Sequence, residues 1–418
     1  MNKYYIANDK INLKCYPNYS FEIGDVNGDG KMEFISMDQS GNLLSVFDIN
    51  GEIVFEKILE NNGNWGTAIP CVADINSDGC DEVIVQNGKS IIAFDGKGNI
   101  VKKRKFEIPS ADMYKIYIPL LGAANIVSPT EKSIIAAIAG GVIYALDHNL
   151  DTIWKIDGFR NSFLHEFYFA DVDGDGLDEI LFSTVDQFED DYYGDFILLD
   201  NDGKQLFSKD VQDYLDDSHF DDIAVADFLG DGSLQILVEK GFLLDLKGNV
   251  IWDLSGEMDH GQWIAHVPDP NSTGRIAFIS ELWGYDLKSM LFTGQGQKIR
   301  DARGYPWAET TDERLLIAPS RCHAIYWDKH SEPEFFLTQQ AVMGDHYCKR
   351  TIKYDLIALF FDVNGNLLGT LPFEETQTKG YYYNGEIHSK VADVDGDGCD
   401  EIVFIKQDGH VMIIKKRG

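Results

Sequence analysis

The chain has 418 residues, of which 36 are lysine or arginine and 69 are aspartate or glutamate, so its formal net charge is −33. This excess of acid excludes a phosphate-binding surface spread over the molecule, and we expect it to bind no nucleic acid. Hydrophobic residues make up 44% of the chain, which is enough for buried cores and excludes a disordered acidic tail. The amino-terminal segment lacks the apolar run of a secretory signal, and we predict a cytoplasmic protein without membrane contacts.

A short acidic segment recurs along the chain. Its copies read IGDVNGDGKMEF from Ile23, VADINSDGCDEV from Val72, FADVDGDGLDEI from Phe169, VADFLGDGSLQI from Val225 (a weaker copy) and VADVDGDGCDEI from Val391. Asp25 and Asp74 begin two of these loops 49 residues apart, and Asp171 follows after 97 residues. The longer gap leaves room for a degenerate copy near Asn125. Such a period suits the four-stranded blade of a propeller.

Each copy is followed by apolar runs that are joined by a second turn, as in NLLSVFDINGEIVFEKI and FILLDNDGKQLF. β-Branched and aromatic residues joined by Asn-Gly-type turns predict hairpins, and no stretch has convincing helical periodicity. We therefore predict an all-β fold, a β-propeller of four-stranded blades, most simply with eight of them. The predicted copies lie at or near Asp25, Asp74, Asn125, Asp171, Asp227, Asp269, Leu315 and Asp393.

The blades are expected to form a single domain over residues 1–418. Asp269 and Asp393 are 124 residues apart, which is too long for two blades, so this interval holds either an insertion, about residues 338–356, or another blade. The last copy stops after HVMIIKKRG, while the chain begins with an unassigned strand, KYYIANDKIN. We predict that this N-terminal strand completes the last blade, which removes an exposed sheet edge.

The recurring loops carry oxygen-bearing side chains at positions 1, 3, 5 and 9, with glycine at position 6. In the clear copies these side chains are Asp25, Asn27, Asp29 and Glu33; Asp74, Asn76, Asp78 and Glu82; Asp171, Asp173, Asp175 and Glu179; and Asp393, Asp395, Asp397 and Glu401. A single D-x-D-G is often only a turn, but four copies with a glutamate favour Ca2+, which takes six to eight oxygen ligands. The copy at Asp227 has Leu229 and Gln235 at ligand positions, so we expect it to hold no ion. The loops resemble the calcium loops of FG-GAP repeats in integrin-type propellers, which implies an architecture rather than a chemistry.

Several histidines stand shortly before a blade motif, namely His165, His219, His260, His266 and His388. Most histidines are ordinary surface residues, but imidazoles at one repeat position suggest a polar site where the loops of one propeller face converge. No nucleophile elbow, phosphate loop or dinucleotide fingerprint is present.

Five segments resemble motifs of the family 11 polysaccharide lyases, the rhamnogalacturonan lyases. They are SHFDDIAVADFLGDG, DHGQWIAHVPDPNSTGRIAFISE, DARGYPWAE, PSRCHAIYWDKHSEPEFFL and NGEIHSKVADVDGDGCDEIVF, which resemble that family's N-H-N, G-H-G-D, G-R-G, P-S-x-N-F and N-G-T-K regions. The resemblance spans most of the chain in short patches. It implies an eight-bladed propeller that contains calcium.

The resemblance also implies β-elimination at a galacturonate, which needs a base for the C5 proton and a cation for the carboxylate. His260 and His219 match the family's proposed bases, and Arg303 matches the arginine that holds the carboxylate. His266, Asn384 and Lys390 are the corresponding candidates for substrate binding. The family's N-G-T-K lysine is replaced here, because Glu386 and Ile387 follow Gly385 and Lys390 is only nearby.

The leading hypothesis is a lyase that acts on uronate-containing oligosaccharides of the rhamnogalacturonan type. Two alternatives stay open, a glycoside hydrolase that cuts a rhamnose–uronate linkage and a non-catalytic, calcium-stabilised propeller that binds carbohydrate or protein.

Overall fold

The computed structural model describes residues 3–13, 21–38, 42–59, 70–110, 116–160, 162–188, 191–214, 220–258, 260–283, 289–301, 315–343, 352–377, 389–406 and 408–417. These residues form 32 β-strands and two short 3-10 helices, Val211–Asp213 and Ser255–Glu257. Within the described part of the chain, no helix is long and apolar enough to cross a membrane. The first strand, β1, is Tyr4–Asn12.

By compactness the chain divides into two units, of which one spans Asn18–Asp221. This unit contains four antiparallel four-stranded sheets, each built from consecutive strands. Sheet 1 contains β2 (Phe21–Gly24), β3 (Glu33–Met37), β4 (Leu43–Phe47) and β5 (Ile53–Ile58); sheet 2 contains β6 (Cys71–Ala73), β7 (Glu82–Asn87), β8 (Ser90–Phe94) and β9 (Ile100–Lys105). Sheet 3 contains β10 (Leu120–Ser128), β11 (Glu131–Ile138), β12 (Val142–Leu146) and β13 (Thr152–Asp157); sheet 4 contains β14 (Ser162–Ala170), β15 (Glu179–Phe188), β16 (Asp191–Leu199) and β17 (Gln205–Asp210).

The other unit comprises Met1–Pro17 and Asp222–Gly418 and contains four further sheets. Sheet 5 contains β18 (Ile223–Ala226), β19 (Gln235–Val238), β20 (Phe242–Leu244) and β21 (Val250–Asp253); sheet 6 contains β22 (His260–Pro268), β23 (Arg275–Trp283), β24 (Ser289–Thr293) and β25 (Lys298–Asp301). Sheet 7 contains β26 (Leu315–Ile325), β27 (Glu334–Met343), β28 (Ile352–Phe361) and β29 (Leu367–Gln377); sheet 8 contains β30 (Ser389–Ala392), β31 (Glu401–Ile405) and β32 (His410–Lys416), together with β1. The predicted eight four-stranded blades of a β-propeller are confirmed, including the degenerate copy at Asn125, which lies in β10.

Part of the interval in which an insertion was predicted, residues 338–356, belongs to the hairpin strands β27 and β28, and residues 344–351 lie outside the described residues. The insertion stays a prediction.

The inner strands of the sheets are rich in apolar residues and are buried on both faces. Every residue of β3, β7, β19 and β31 is buried. The fourth strands instead alternate, as in β9, where Ile100–Lys105 reads IVKKRK and is mostly exposed. Charged side chains on these outer strands discourage pairing with another chain.

The N-terminal strand completes sheet 8, as predicted. β1 pairs antiparallel with β32, from Tyr4 opposite Lys416 to Asn12 opposite His410. The Tyr4 ring is buried and stacks on Phe360 with ring centroids 3.6 Å apart. Its hydroxyl donates a 2.8 Å hydrogen bond to Oε2 of the buried Glu334. The strand is therefore anchored by apolar packing as well as by its backbone ladder.

Aspartates at position 8 of the acidic loops tie neighbouring sheets together. Asp81 in sheet 2 accepts a 2.9 Å hydrogen bond from the backbone N–H of Asp25 in sheet 1. Asp178 in sheet 4 accepts a 2.7 Å hydrogen bond from the N–H of Asn125 in sheet 3. Where the motif ends in a D-E pair, as in the Asp74 and Asp171 loops, the aspartate reaches the preceding sheet while the glutamate turns back into its own loop.

Candidate functional site

The acidic loops join the first and second strands of their sheets and have one common geometry. In the loop at Asp171, Oδ1 accepts hydrogen bonds from the N–H groups of Gly174 and Asp175, and Oδ2 accepts one from Gly176. Glu179 accepts a 2.7 Å hydrogen bond from the N–H of Val172. These bonds wrap the loop around its own carboxylates. One carboxylate oxygen each from Asp171, Asp173 and Glu179 lie within 4.8 Å of one another, a spacing that suits ligands around one Ca2+.

The loops at Asp25 and Asp74 repeat this arrangement. Val26 and Ile75 donate their N–H groups to Glu33 and Glu82, as Val172 does to Glu179. Burial, together with the neighbouring aspartates, raises the pKa of each of these three glutamates to about 7. A carboxylate whose ionisation is opposed by burial and by neighbouring carboxylates is stabilised by a bound cation. The donor set of these three loops therefore fits Ca2+.

The loop at Asp227 keeps the shape but not the charge. Gln235 takes the place of the glutamate, and its Oε1 accepts hydrogen bonds from the N–H groups of Phe228 and Leu229. Its amide nitrogen donates to the backbone oxygen of Ser233. The side chain at position 9 thus accepts backbone N–H groups of its own loop, and a neutral amide can do this. The negative charge of a glutamate at this position would serve to bind a cation.

In the loop at Asp393, carboxylate oxygens of Asp393, Asp395 and Glu401 also lie within 4.8 Å of one another. Here, however, the ammonium of Lys415 lies among them, 2.6 Å from Asp395 and 2.8 Å from Glu401.

His260, a candidate catalytic residue, stands at the end of its sheet that lies opposite the connection between the first and second strands. In the Asp222–Gly418 unit, His260 is the first residue of β22. His219, Arg303 and Asn384 lie outside the described residues, and they precede β18, β26 and β30, respectively, in the chain. In the sequence, three of the four candidates thus precede the first strand of a sheet, and His260 begins one.

Hydrogen bonds link these four first strands in one layer, which we call the first-strand layer. Asp222, just before β18, accepts a 2.6 Å hydrogen bond from the N–H of Ile264 in β22. The thiol of the buried Cys322 in β26 lies 3.5 Å from the backbone oxygen of Trp263 in β22. His323 Nε2 lies 2.7 Å from the hydroxyl of Ser389 at the start of β30. This chain of contacts fixes the four first strands against one another.

The turn after β19 brings a buried ion pair to the start of β22. The ammonium of Lys240 lies 3.5 Å from the carboxylate of Glu239, and both side chains are buried. A side chain at Gly261 would place its Cβ 1.8 Å from the backbone oxygen of Glu239, so only glycine fits there. Glycine is thus required after His260 because the backbone of the β19 turn packs directly against this position. This contact fixes the backbone beside His260.

Two further cations lie close to the first-strand layer. Burial, together with the positive charges of Arg321 and Lys390, lowers the pKa of His323 to about 3. Arg321 stands in β26 and Lys390 in β30, so cations from two neighbouring first strands act on one imidazole. Lys390 was a sequence candidate for substrate binding, whereas Arg321 lies in the P-S-R-C-H segment and was not singled out.

His266, another candidate, does not share this region. It stands six residues beyond His260 in β22, about 20 Å further along an extended strand. Its Nδ1 accepts a 2.6 Å hydrogen bond from Arg275, and its ring packs edge-on against Phe228. Burial, followed by the charge of Arg275, lowers the pKa of His266 to about 4, so the imidazole is a neutral acceptor. The structure therefore separates His266 from the start of β22.

Comparison with known proteins agrees with this picture. The model of the FG-GAP-like repeat matches residues 25–85, which include two of the acidic loops. The rhamnogalacturonan exolyase YesX of Bacillus subtilis (strain 168) is 28% identical over 183 residues, which are 39% of this chain and 23% of that protein. The chain bears a remote resemblance to the rhamnogalacturonan lyases.

Solved structures show the shared fold. The exotype rhamnogalacturonan lyase YesX superposes with a TM-score of 0.65 at 18% identity, covering 99% of this chain and 75% of that one. The rhamnogalacturonan lyase YesW gives a TM-score of 0.60 at 16% identity, with the same coverage. The Dos1 propeller gives a TM-score of 0.53 at 12% identity and covers 99% and 94% of the two chains. The sequence match to YesX covers 23% of that relative, so it does not by itself assign the activity of YesX to this chain.

Proposed function

We propose that the protein is a lyase that cleaves uronate linkages of the rhamnogalacturonan type by β-elimination. The observation that carries the proposal is the sequence resemblance to the rhamnogalacturonan exolyase YesX. The order of the chain supports it, because three candidate residues precede, and His260 begins, the first strands of four successive sheets. Hydrogen bonds link these four first strands in the first-strand layer.

The chemistry assigns a task to each candidate. A base removes the C5 proton of the uronate, the C4–O4 bond breaks, and a C4–C5 double bond forms as the leaving oxygen takes up a proton. His260 or His219 would be the base, because a neutral imidazole can accept a proton near neutral pH. Arg303 would hold the uronate carboxylate, since a guanidinium binds a carboxylate through two parallel hydrogen bonds.

A protein with a net charge of −33 repels an anionic oligosaccharide, so local cations are needed at such a site. Arg321 and Lys390 supply positive charge beside the first-strand layer. Lys390 would contact the substrate there together with Asn384. Calcium bound in the acidic loops would neutralise their carboxylates at the other end of the sheets and would stabilise the fold.

The test is incubation with rhamnogalacturonan oligosaccharides, followed by ultraviolet absorbance and by an assay of reducing ends. Elimination gives both an unsaturated uronate band and new ends. New ends without the band would indicate a glycoside hydrolase, and neither signal would indicate a binding module. Polygalacturonate, which lacks rhamnose, is the matched control for the class of linkage, and it should give no signal.

A further inference from the structure

We propose that the Asp393 loop carries a cation of its own, the ammonium of Lys415, and does not take the calcium ion for which the Asp25, Asp74 and Asp171 loops are suited. Lys415 Nζ lies 2.6 Å from Asp395, 2.8 Å from Glu401 and 3.1 Å from Asp397. Three carboxylates therefore converge on one ammonium, at the place where the related loops fit a metal ion.

One difference between the Asp393 and Asp171 loops accounts for the ammonium in the former. The two loops are nearly identical, DVDGDGLDE and DVDGDGCDE, and both glutamates are buried. They differ on the third strand of their sheets. Ile180 pairs with Leu199, which places Asp200 next along the strand, opposite Glu179. Ile402 pairs with Ile414, which places Lys415 in the equivalent position, opposite Glu401. The side chain opposite the buried glutamate is therefore an aspartate in sheet 4 and a lysine in sheet 8.

The closure of the fold explains why this position is free to change. In six of the other seven sheets, an aspartate after the third strand begins the turn into the fourth, and in sheet 6 Thr293 takes this place. Asp48, for example, accepts hydrogen bonds from the N–H groups of Asn50 and Glu52. Asp200 does the same for the N–H of Lys204. Sheet 8 has no such turn, because its fourth strand is β1 from the start of the chain. The turn-forming aspartate is not needed there, and a lysine can point into the acidic loop.

The local charges agree with an occupied loop. Hydrogen bonds from Lys415 lower the pKa of Asp397. Partial burial alone would lower the pKa of Lys415, but its hydrogen bonds to Asp395, Glu401 and Asp397 outweigh burial and raise it, so the ammonium stays charged. A calcium ion would have to displace this ammonium and leave it close to two positive charges of the metal. We therefore separate the Asp393 loop from the loops suited to calcium, whereas its sequence alone predicts that it binds calcium as they do.

The number of calcium ions bound per chain tests the proposal. After chelator treatment, calcium is titrated into the wild-type protein and into Asp393→Asn, Lys415→Gln and Lys415→Arg variants, with the stoichiometry measured by calorimetry. Asp393→Asn should leave the wild-type number unchanged. Lys415→Gln removes the ammonium and should add one ion per chain, whereas Lys415→Arg keeps the charge and should add none.

The loss of one ion in Asp393→Asn would overturn the proposal, since the loop would then bind calcium in the wild-type protein. The absence of an added ion in a folded Lys415→Gln variant would also overturn it. Folding is checked by circular dichroism. Lys415→Gln should melt at a lower temperature than the wild type in chelator and should recover when calcium is added. The result is independent of the proposed lyase activity.

Discussion

We predict that glutamine can replace the glutamate at position 9 of an acidic loop without changing the fold of the loop. The Asp227 loop already has a glutamine, Gln235, at this position. In Glu179→Gln, the amide oxygen should still accept the N–H of Val172, as Gln235 accepts the N–H of Phe228. The substitution therefore removes a charge while it keeps the fold of the loop.

The magnitude follows from the pKa of Glu179, which rises from 4.5 to about 7 in the folded protein. That change corresponds to about 3 kcal/mol, and screening by solvent around an open loop reduces it to about 1–2 kcal/mol. Because the pKa is raised on folding, the stabilising contribution is complete below pH 4.5 and is lost as the pH rises through about 7.

In chelator, the wild-type protein should thus lose about 1–2 kcal/mol of unfolding free energy per loop between pH 4.5 and pH 7. Glu179→Gln cannot ionise, so at about pH 8 in chelator it should be more stable than the wild type by that amount, and at about pH 5 nearly equal to it. With excess calcium at pH 8 the order should reverse, because the variant lacks a charged ligand. Urea unfolding at the two pH values measures these differences.

The reverse substitution, Gln235→Glu, is the matched control and should introduce the same pH dependence into the Asp227 loop. If Glu179→Gln destabilises the protein equally at both pH values in chelator, the glutamate acts only as a hydrogen-bond acceptor, and the reasoning is wrong.

Three further predictions concern single positions. Tyr4→Ala should cost about 3–5 kcal/mol in urea unfolding, because the ring fills a buried site, and Tyr4→Phe about 1–3 kcal/mol, because Glu334 loses a donor; equal costs would refute the packing argument. Ser77→Gly should stabilise the protein by about 0.5–1 kcal/mol, because Ser77 has a φ of 60° where the other loops have glycine, and a loss of stability would contradict this. Arg303→Lys should lower turnover of rhamnogalacturonan oligosaccharides by about 10-fold or more, since an ammonium keeps the charge but loses the two-point grip on a carboxylate; wild-type turnover would show that Arg303 does not bind the carboxylate.

Much of the fold could be predicted from sequence, because its repeats are local. The acidic loop and its following hairpins lie within one blade, so their spacing gave the number of sheets, and the gap around Asn125 gave the degenerate one. The closing strand was also predictable, since a single unpaired strand stood at the start of the chain.

The features that the sequence did not predict depend on contacts between residues that are distant in sequence. Lys415 is paired with the acidic loop only through the register of β31 and β32. The buried pair of Glu239 and Lys240 is recognisable as part of a candidate site only once the Glu239 carbonyl is seen against Gly261. His266 stood beside His260 in the motif, yet strand geometry separates the two along β22. Motif proximity in a strand therefore does not imply a shared site.

The most direct test of the proposed site is the rate of formation of unsaturated uronate from rhamnogalacturonan oligosaccharides by the wild type and by His260→Ala. His148→Ala is the control, because His148 stands in an exposed turn beside Asn149 in sheet 3. The account predicts that the wild type forms the product, that His260→Ala is slower by about 100-fold or more at an unchanged melting temperature, and that His148→Ala matches the wild type. No unsaturated product from the wild type, or full activity in His260→Ala, would contradict it.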